Sequence, residues 1–233
     1  MDLKIIYEDD RLIVVDKPAG VTVWKEGMSQ EETIVSLVLG QFPELEKLGE
    51  QRRYGIAHRL DKDTSGILLV AKTKEMFEQL QKQFAERKME KHYICLVEGN
   101  MKQERGTIHT LLGRSSADRR KQRAYSLQEE KVGRREALTE WKVLKRFNRY
   151  TLLEVKPKTG RKHQIRSHMA SIGHPVAADK LYGFKDQHIP PGLERHFLHA
   201  SFLKQNEKEF VSPLPEDLQK VLKTLSRTYD DHN

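Results

Sequence analysis

The sequence predicts an α+β fold: a mixed, mostly antiparallel central sheet with flanking helices. Three observations predict it. Short β-rich runs come in hairpin-like pairs, as at 3–7 and 12–15, split by Glu8-Asp9-Asp10-Arg11. Helical periodicity recurs between them, with Phe77, Leu80 and Phe84 on one face of 74–88. The chain has 233 residues and no repeat, low-complexity tract or clear linker. A chain of that size buries roughly 70–75% of its unfolded surface, enough for a core without staples.

Each element follows in order. Lys17-Pro18-Ala19-Gly20 ends the second run in a turn. Ser29-Gln30-Glu31-Glu32 has the form of a capping box, and Ile34, Val35, Val38 and Leu39 give the following helix an apolar stripe. The charged stretch 44–53 reads as loop. The run Ile67-Leu68-Leu69-Val70-Ala71 has no alternation and reads as a fully buried strand. A helix over 74–88 and a strand over 90–98 come next. From 102 to 135 the chain turns charged, with a basic cluster of Arg114, Arg119, Arg120, Lys121 and Arg123. Ala137, Thr139, Trp141 and Val143 alternate as a half-buried strand would, and 150–155 is its antiparallel partner. Residues 162–172 read as a helix closed by Gly173. Pro190-Pro191-Gly192 marks a surface loop, and 213–227 is a last helix with Leu218, Val221, Leu222 and Leu225 on one face.

Lys and Arg outnumber Asp and Glu by 42 to 34, a net charge of +8. That surplus suits a polyanion such as RNA, DNA or an acidic membrane face. Cys95 is the one cysteine, so an internal disulfide is impossible; inside Tyr93-Ile94-Cys95-Leu96-Val97 it reads as a buried core residue. The first ten residues lack the apolar core of a signal peptide, and the longest strongly apolar run, 67–71, is far short of a membrane span. The expectation is a cytoplasmic chain, off the membrane and monomeric.

Two blocks carry chemistry. In His58-Arg59-Leu60-Asp61-Lys62-Asp63-Thr64-Ser65-Gly66 a carboxylate, Asp61, sits between cations just before the buried strand. A carboxylate kept ionised beside cations in a cleft can act as nucleophile or base. The segment also reads as a surface loop of mixed charge, or, with His58, Asp61 and Asp63, as a hard-cation site. The second block is Thr159-Gly160-Arg161-Lys162-His163-Gln164-Ile165-Arg166-Ser167-His168. On a helix, residues 163 and 168 lie about 140° apart, so the two histidines do not converge on zinc. Arg161 and Arg166 have the same spacing, so one can enter a site while the other meets phosphate or solvent. Thr159-Gly160 can offer backbone N–H groups to a phosphate, or simply start a helix.

These blocks resemble the RluA-type pseudouridine synthase family. Its His-Arg-Leu-Asp-x-x-Thr-Ser-Gly motif is matched by His58, Arg59, Leu60, Asp61, Thr64, Ser65 and Gly66. Its Lys-x-Tyr-x-Ala-x-Val-x-Gly motif appears as Lys91, Tyr93, Cys95, Val97 and Gly99, with Cys95 in place of Ala. Its Gly-Arg-x-His-Gln-Ile-Arg-x-His motif is matched in full over 160–168. Its His-Pro-Val-x-Gly-Asp-x-x-Tyr-Gly pattern is seen as His174, Pro175, Val176, Asp179, Tyr182 and Gly183, with Ala178 replacing Gly. Leu198-His199-Ala200 matches a further element. Where many members read Val-His-Pro after the Lys-Pro turn, this chain has Val23-Trp24-Lys25.

The resemblance implies a single catalytic domain over 1–233, of two sub-lobes; many members carry an S4 RNA-binding domain before it, and the expectation here departs from them in having none. It implies isomerisation of uridine in structured RNA, ribosomal or transfer, with no cofactor and no metal. By resemblance Asp61 starts the reaction at the sugar, by attack on carbon or by removing a sugar proton. Arg166 pairs with Asp61, and Tyr93 stacks on the target base. Arg59 fills the stack that the flipped base vacates, and His58 and Arg161 join it as substrate contacts. Arg119, Arg120 and Lys121 are expected to meet phosphates, without reading sequence. Two rival classes remain at this point: a catalytically dead RNA-binding module, and a metal-dependent nuclease using Asp61 and Asp63.

Overall fold

A computed structural model describes residues 3–24, 31–48 and 53–230. Along the chain run β1 (Ile5–Glu8), β2 (Leu12–Lys17), α1 (Ile34–Gln41), a 3-10 helix (Pro43–Lys47), β3 (Ser65–Ala71), α2 (Lys74–Ala85) and β4 (Glu90–Glu98). Then come β5 (Arg105–Arg114), β6 (Gln122–Tyr125), β7 (Arg135–Arg146), β8 (Tyr150–Pro157), α3 (Gln164–Ser171), β9 (Leu198–Gln205), β10 (Lys208–Val211) and α4 (Glu216–Asp230). The chain divides into two compact units, Met1–Glu90 with Ala200–Pro213, and Lys91–His199 with Leu214–Asn233.

In the first unit β2 pairs antiparallel with β1 and β3, β9 follows β3, and β10 pairs antiparallel with β9. Every position of β3 is buried, as its unbroken apolar run requires. Leu68 and Val70 face Ile13, Val15 and the α1 residues Ile34, Val35 and Val38. Ile67 and Leu69 face the other way, with Leu12, Val14 and the α2 residues Met76, Phe77 and Leu80. Gly66, at the root of β3, has φ +114, and a Cβ there would collide with the carbonyl of Ala200. The motif's glycine is therefore needed for close strand approach.

Two expectations are corrected here. The start of α1 is not the anticipated box: Ser29 and Gln30 lie outside the described residues, and the helix begins at Ile34. Its cap is Thr33, whose hydroxyl accepts the Ser36 N–H at 3.1 Å while Ser36 Oγ accepts the Thr33 N–H at 2.8 Å. The stretch expected as loop opens with a 3-10 turn, because Pro43 suits a first helical position and Leu45 is buried in the core.

The second unit is an antiparallel sheet in the order β4-β8-β7-β5-β6. Cys95, Val97, Trp141, Val143 and Leu153 pack with Ile165 and Met169 of α3. On the other face Leu96, Tyr150 and Phe197 pack with Leu218 and Val221 of α4. The charged stretch 102–135 holds a hairpin, β5–β6, that the sequence reading did not assign. Its buried aliphatic residues, Ile108, Leu111 and Leu112, are too diluted by exposed polar neighbours to stand out. α3 starts later than expected, because His163 is left-handed with φ +54. Gly173 (φ +81) closes it as anticipated, its N–H reaching Ala170 O at 3.1 Å. Among the described residues no helix is long and apolar enough to cross a membrane.

Candidate active site

Asp61 sits half-buried in the loop that feeds β3, where its carbonyl accepts the Thr64 N–H at 3.1 Å and closes a turn. The next carbonyl, of Lys62, accepts the Gly20 N–H at 3.0 Å and the Lys17 ammonium at 2.9 Å. Lys17 is 1% exposed and also donates to the carbonyls of Pro18 and Val21, each at 2.7 Å. An ammonium removed from water needs acceptors, and charge-assisted bonds to backbone oxygens supply them. Lys17 thus pins the backbone one residue beyond Asp61. Sequence reasoning treated it as the start of a turn, and nothing in the Asp16-Lys17-Pro18 stretch announced its burial.

The other members of this block divide. His58 Nε2 accepts the Leu69 N–H at 2.9 Å and its ring stacks on Phe84, centroids 4.5 Å apart. Nδ1 therefore carries the proton of the neutral ring, and the side chain braces β3 and α2. The guanidinium of Arg59 stands over the Trp24 ring at 4.8 Å, with that of Arg53 at 5.3 Å. Trp24, which departs from the family pattern, thus supports the arginine of the motif.

In the second unit Tyr93 lies on β4, half-buried against the cluster around Cys95 and Leu153. Strand alternation puts Lys91, Tyr93, Cys95 and Val97 on one face, which explains the spacing of that motif. Burial lowers the Lys91 ammonium to about 8, and the thiol of Cys95, fully buried, is pushed up by burial and by Asp179.

α3 presents Arg166, 8% exposed, which forks onto Asp179: Nε to Oδ2 at 2.7 Å and a terminal nitrogen to Oδ1 at 2.9 Å. Asp179 has no exposed surface. Burial pushes its carboxyl up, and the Arg166 guanidinium, with His196 and the Leu181 N–H, more than offsets that, holding it below the ordinary value. Asp179 Oδ1 also accepts the N–H groups of Leu181 and Tyr182, at 2.9 and 3.0 Å. Sequence reasoning quoted Asp179 and Tyr182 as motif residues and gave them no role.

Arg161 turns to the sheet, its Nε donating to Glu136 O at 3.0 Å, while its N–H donates to Gln164 Oε1 at 3.0 Å. Gln164 Nε2 in turn donates to Leu138 O and to Thr139 Oγ1. His168 is fully buried between the hydroxyls of Thr139 (2.8 Å) and Thr110 (3.0 Å). Burial, then His109, lowers its pKa to about 4, so the ring is neutral at pH 7. His163 Nδ1 meets Tyr182 Oη at 3.0 Å.

The three hairpin cations are not equivalent. Arg119 is exposed. Arg120 forks onto Asp118 at 3.0 and 2.8 Å, and the hydrogen bond from Arg120 holds that carboxyl at about 2. Lys121 hangs over the Tyr182 ring, 5.9 Å from its centroid. In sum, the structure places His58, Arg59 and Asp61 on one loop of the first unit, and Tyr93, Arg161, Arg166 and the hairpin in the second.

Comparison with known proteins decides the family. The family model described as RNA pseudouridylate synthase matches residues 11–171. The chain belongs to the RNA pseudouridylate synthase family. An RNA pseudouridine synthase from Aquifex aeolicus, itself uncharacterized, is 45% identical over 193 residues, covering 82% of this chain and 59% of that protein. The ribosomal large subunit pseudouridine synthase D of Nitrosomonas europaea is 37% identical, covering 96% of this chain and 65% of its own length. The chain thus spans roughly three fifths to two thirds of these relatives. Human RNA pseudouridylate synthase domain containing 1 superposes with a TM-score of 0.72 at 26% identity, over 97% of this chain and 95% of that one. Human RNA pseudouridylate synthase domain containing 4 shares the fold, with a TM-score of 0.76 at 23% identity over 96% of this chain and 93% of that one. The α+β fold expected from the sequence is the fold of this family.

Proposed function

We propose that this chain converts uridine to pseudouridine in structured RNA, with large-subunit ribosomal RNA as the first substrate to test. The observation that carries the reading is the intact acid motif at Asp61, on a loop pinned by a buried lysine, inside a chain of this family. The ribosomal choice rests on relatives named as large-subunit synthases, and the net charge of +8 suits any RNA.

The reaction is an isomerisation: N1–C1′ breaks, uracil turns over, C5 bonds to C1′, the C5 proton is lost and N1 takes up a proton, so no atom is gained or lost overall. No electron leaves the substrate, so the proposal needs no redox cofactor or metal. The target uridine must first leave its stack, at a cost of a few kcal/mol. Arg59, already carried on the Trp24 face, is the group proposed to fill the gap. Asp61 acts at the sugar, Tyr93 stacks on the base, and Arg166, held in its fork on Asp179, serves the reaction as the arginine of the second motif. The close packing of Gly66 on Ala200 and the Lys17 clamp support Asp61 as a fixed acid rather than a mobile surface charge.

Incubating the protein with transcripts of large-subunit ribosomal RNA, and separately of transfer RNA, tests the reading. Mapping by carbodiimide-stopped reverse transcription is expected to show conversion at discrete uridines of the ribosomal transcript. Conversion of transfer RNA alone would move the substrate class; conversion of neither would remove the assignment.

A further inference from the structure

We infer that Tyr182 is a positioning residue that ties the base of the β5–β6 loop to Arg166, so that RNA seated on that loop sets the orientation of the arginine. The inference rests on the reading above, in which the hairpin meets phosphates and Arg166 serves the reaction. It concerns a residue for which the sequence motif supplies no role.

The geometry is convergent. Tyr182 Oη accepts the N–H of Gln122, the first residue of β6, at 2.7 Å. The carbonyl of the same Gln122 accepts from Ser167 Oγ of α3 at 3.2 Å. The end of the β5–β6 loop is thereby fastened through both backbone groups of Gln122, to Tyr182 and to α3. The same Tyr182 hydroxyl meets His163 Nδ1 at 3.0 Å, and the two rings stand edge to face, 5.7 Å apart at 89°. His163 holds φ +54, a conformation that costs a non-glycine residue energy and persists only where its surroundings enforce it. Three residues on, α3 delivers Arg166, whose guanidinium carbon stands 5.2 Å from the Tyr182 ring centroid while its fork grips Asp179. The backbone of Tyr182 completes the loop by donating to that same carboxylate at 3.0 Å.

Each contact constrains a different degree of freedom. Asp179 sets the plane of the Arg166 fork, and the Tyr182 ring supports its face. The Tyr182 hydroxyl couples that support to the strand whose preceding residues, Arg119 to Lys121, are the basic ones. Ring packing alone would be served by phenylalanine. The hydroxyl is committed to the end of the β5–β6 loop and to the start of α3, which are the two places a change in that loop would be felt. Networks of this kind have one good arrangement, and removing a member loosens the rest.

The test uses Tyr182→Phe, which keeps the ring under Arg166 and removes only the tie, beside Tyr182→Leu, which removes both. Single-turnover conversion of the ribosomal transcript, at saturating RNA, separates the active fraction (amplitude) from the rate constant. For Tyr182→Phe the rate constant is expected to fall about tenfold with full amplitude, while the RNA dissociation constant stays within twofold; Tyr182→Leu should be worse. A rate constant within twofold of wild type, or a loss confined to affinity or amplitude, overturns the inference. A second readout does not need catalysis. Amide exchange at Gln122 and side-chain exchange at Arg166 Nε are expected to accelerate together, each about tenfold, in Tyr182→Phe. Acceleration at Gln122 with Arg166 unchanged overturns the tie. A wild-type protein that converts no uridine would remove the functional reading, and the exchange result would still decide whether hairpin and arginine are coupled.

Discussion

The loop of Asp61 and the helix of Arg166 are held by opposite means. Around Asp61 the grip falls on the backbone: a buried ammonium, Lys17, takes three carbonyl oxygens and fixes the path of the chain. Around Arg166 the grip falls on side chains: a carboxylate with no exposure takes the guanidinium in a fork, and a tyrosine ring backs it. The difference is instructive. A loop fixed through its backbone keeps its place whatever its side chains carry. A fork fixed by charge leaves a buried ion behind when either partner is lost. The two blocks should therefore fail differently.

The largest effect is expected from Arg166→Met. It strands the Asp179 carboxylate in the core, which costs roughly 3–5 kcal/mol. Urea unfolding should show the loss as a shifted midpoint, with turnover lost as well. An unchanged midpoint would mean the fork contributes nothing to the fold. Lys17→Met comes next: it leaves buried carbonyls short of a donor, at roughly 3 kcal/mol in all. Its distinguishing mark is a rate constant that falls while RNA affinity holds, because the Asp61 loop is released while the basic hairpin is untouched. Equal losses in RNA affinity and rate would erase the contrast.

His168 sharpens the comparison on the helix side through pH. Its folded pKa is about 4, against an ordinary value of 6.5. The unfolded chain therefore binds the proton first, and stability present above pH 6.5 is lost as pH falls toward 4. Between pH 6.5 and 5 the loss should be about 2 kcal/mol. Unfolding curves for wild type and His168→Asn should converge across that window; parallel curves would show that the ring is not held neutral. The smallest effect concerns affinity alone. Replacing Arg119, Arg120 and Lys121 by Ala should weaken RNA binding and flatten its salt dependence, by roughly 0.7–0.9 in log–log slope per lost phosphate contact. Arg120, already paired with Asp118, should account for the smallest share. An unchanged slope would place the binding face elsewhere.

Much of this was readable in the chain. The unbroken run at β3, the apolar run in β4 and the alternation in β7 announced their strands, because burial on both faces or one leaves those patterns. The acid and the arginine were found through their motifs. What escaped notice were groups whose role depends on distant partners. Lys17 reads as a turn residue until its ammonium is seen among carbonyls, and Asp179 reads as a motif letter until Arg166 reaches it thirteen residues away. The β5–β6 hairpin escaped for a simpler reason: charge on its exposed positions outweighs three buried aliphatic residues. Trp24 looked like an unexplained departure, and its partner Arg59 is far along the sequence.

Asp61→Asn tests the central claim most directly. The change keeps size, removes the charge, and leaves the Lys17 clamp in place, so the protein should fold and bind RNA with nearly wild-type affinity. Release of tritium from C5-labelled uridine in the ribosomal transcript should vanish. Turnover by the Asn protein above a few per cent of wild type would contradict the assignment of Asp61 as the residue that starts the reaction.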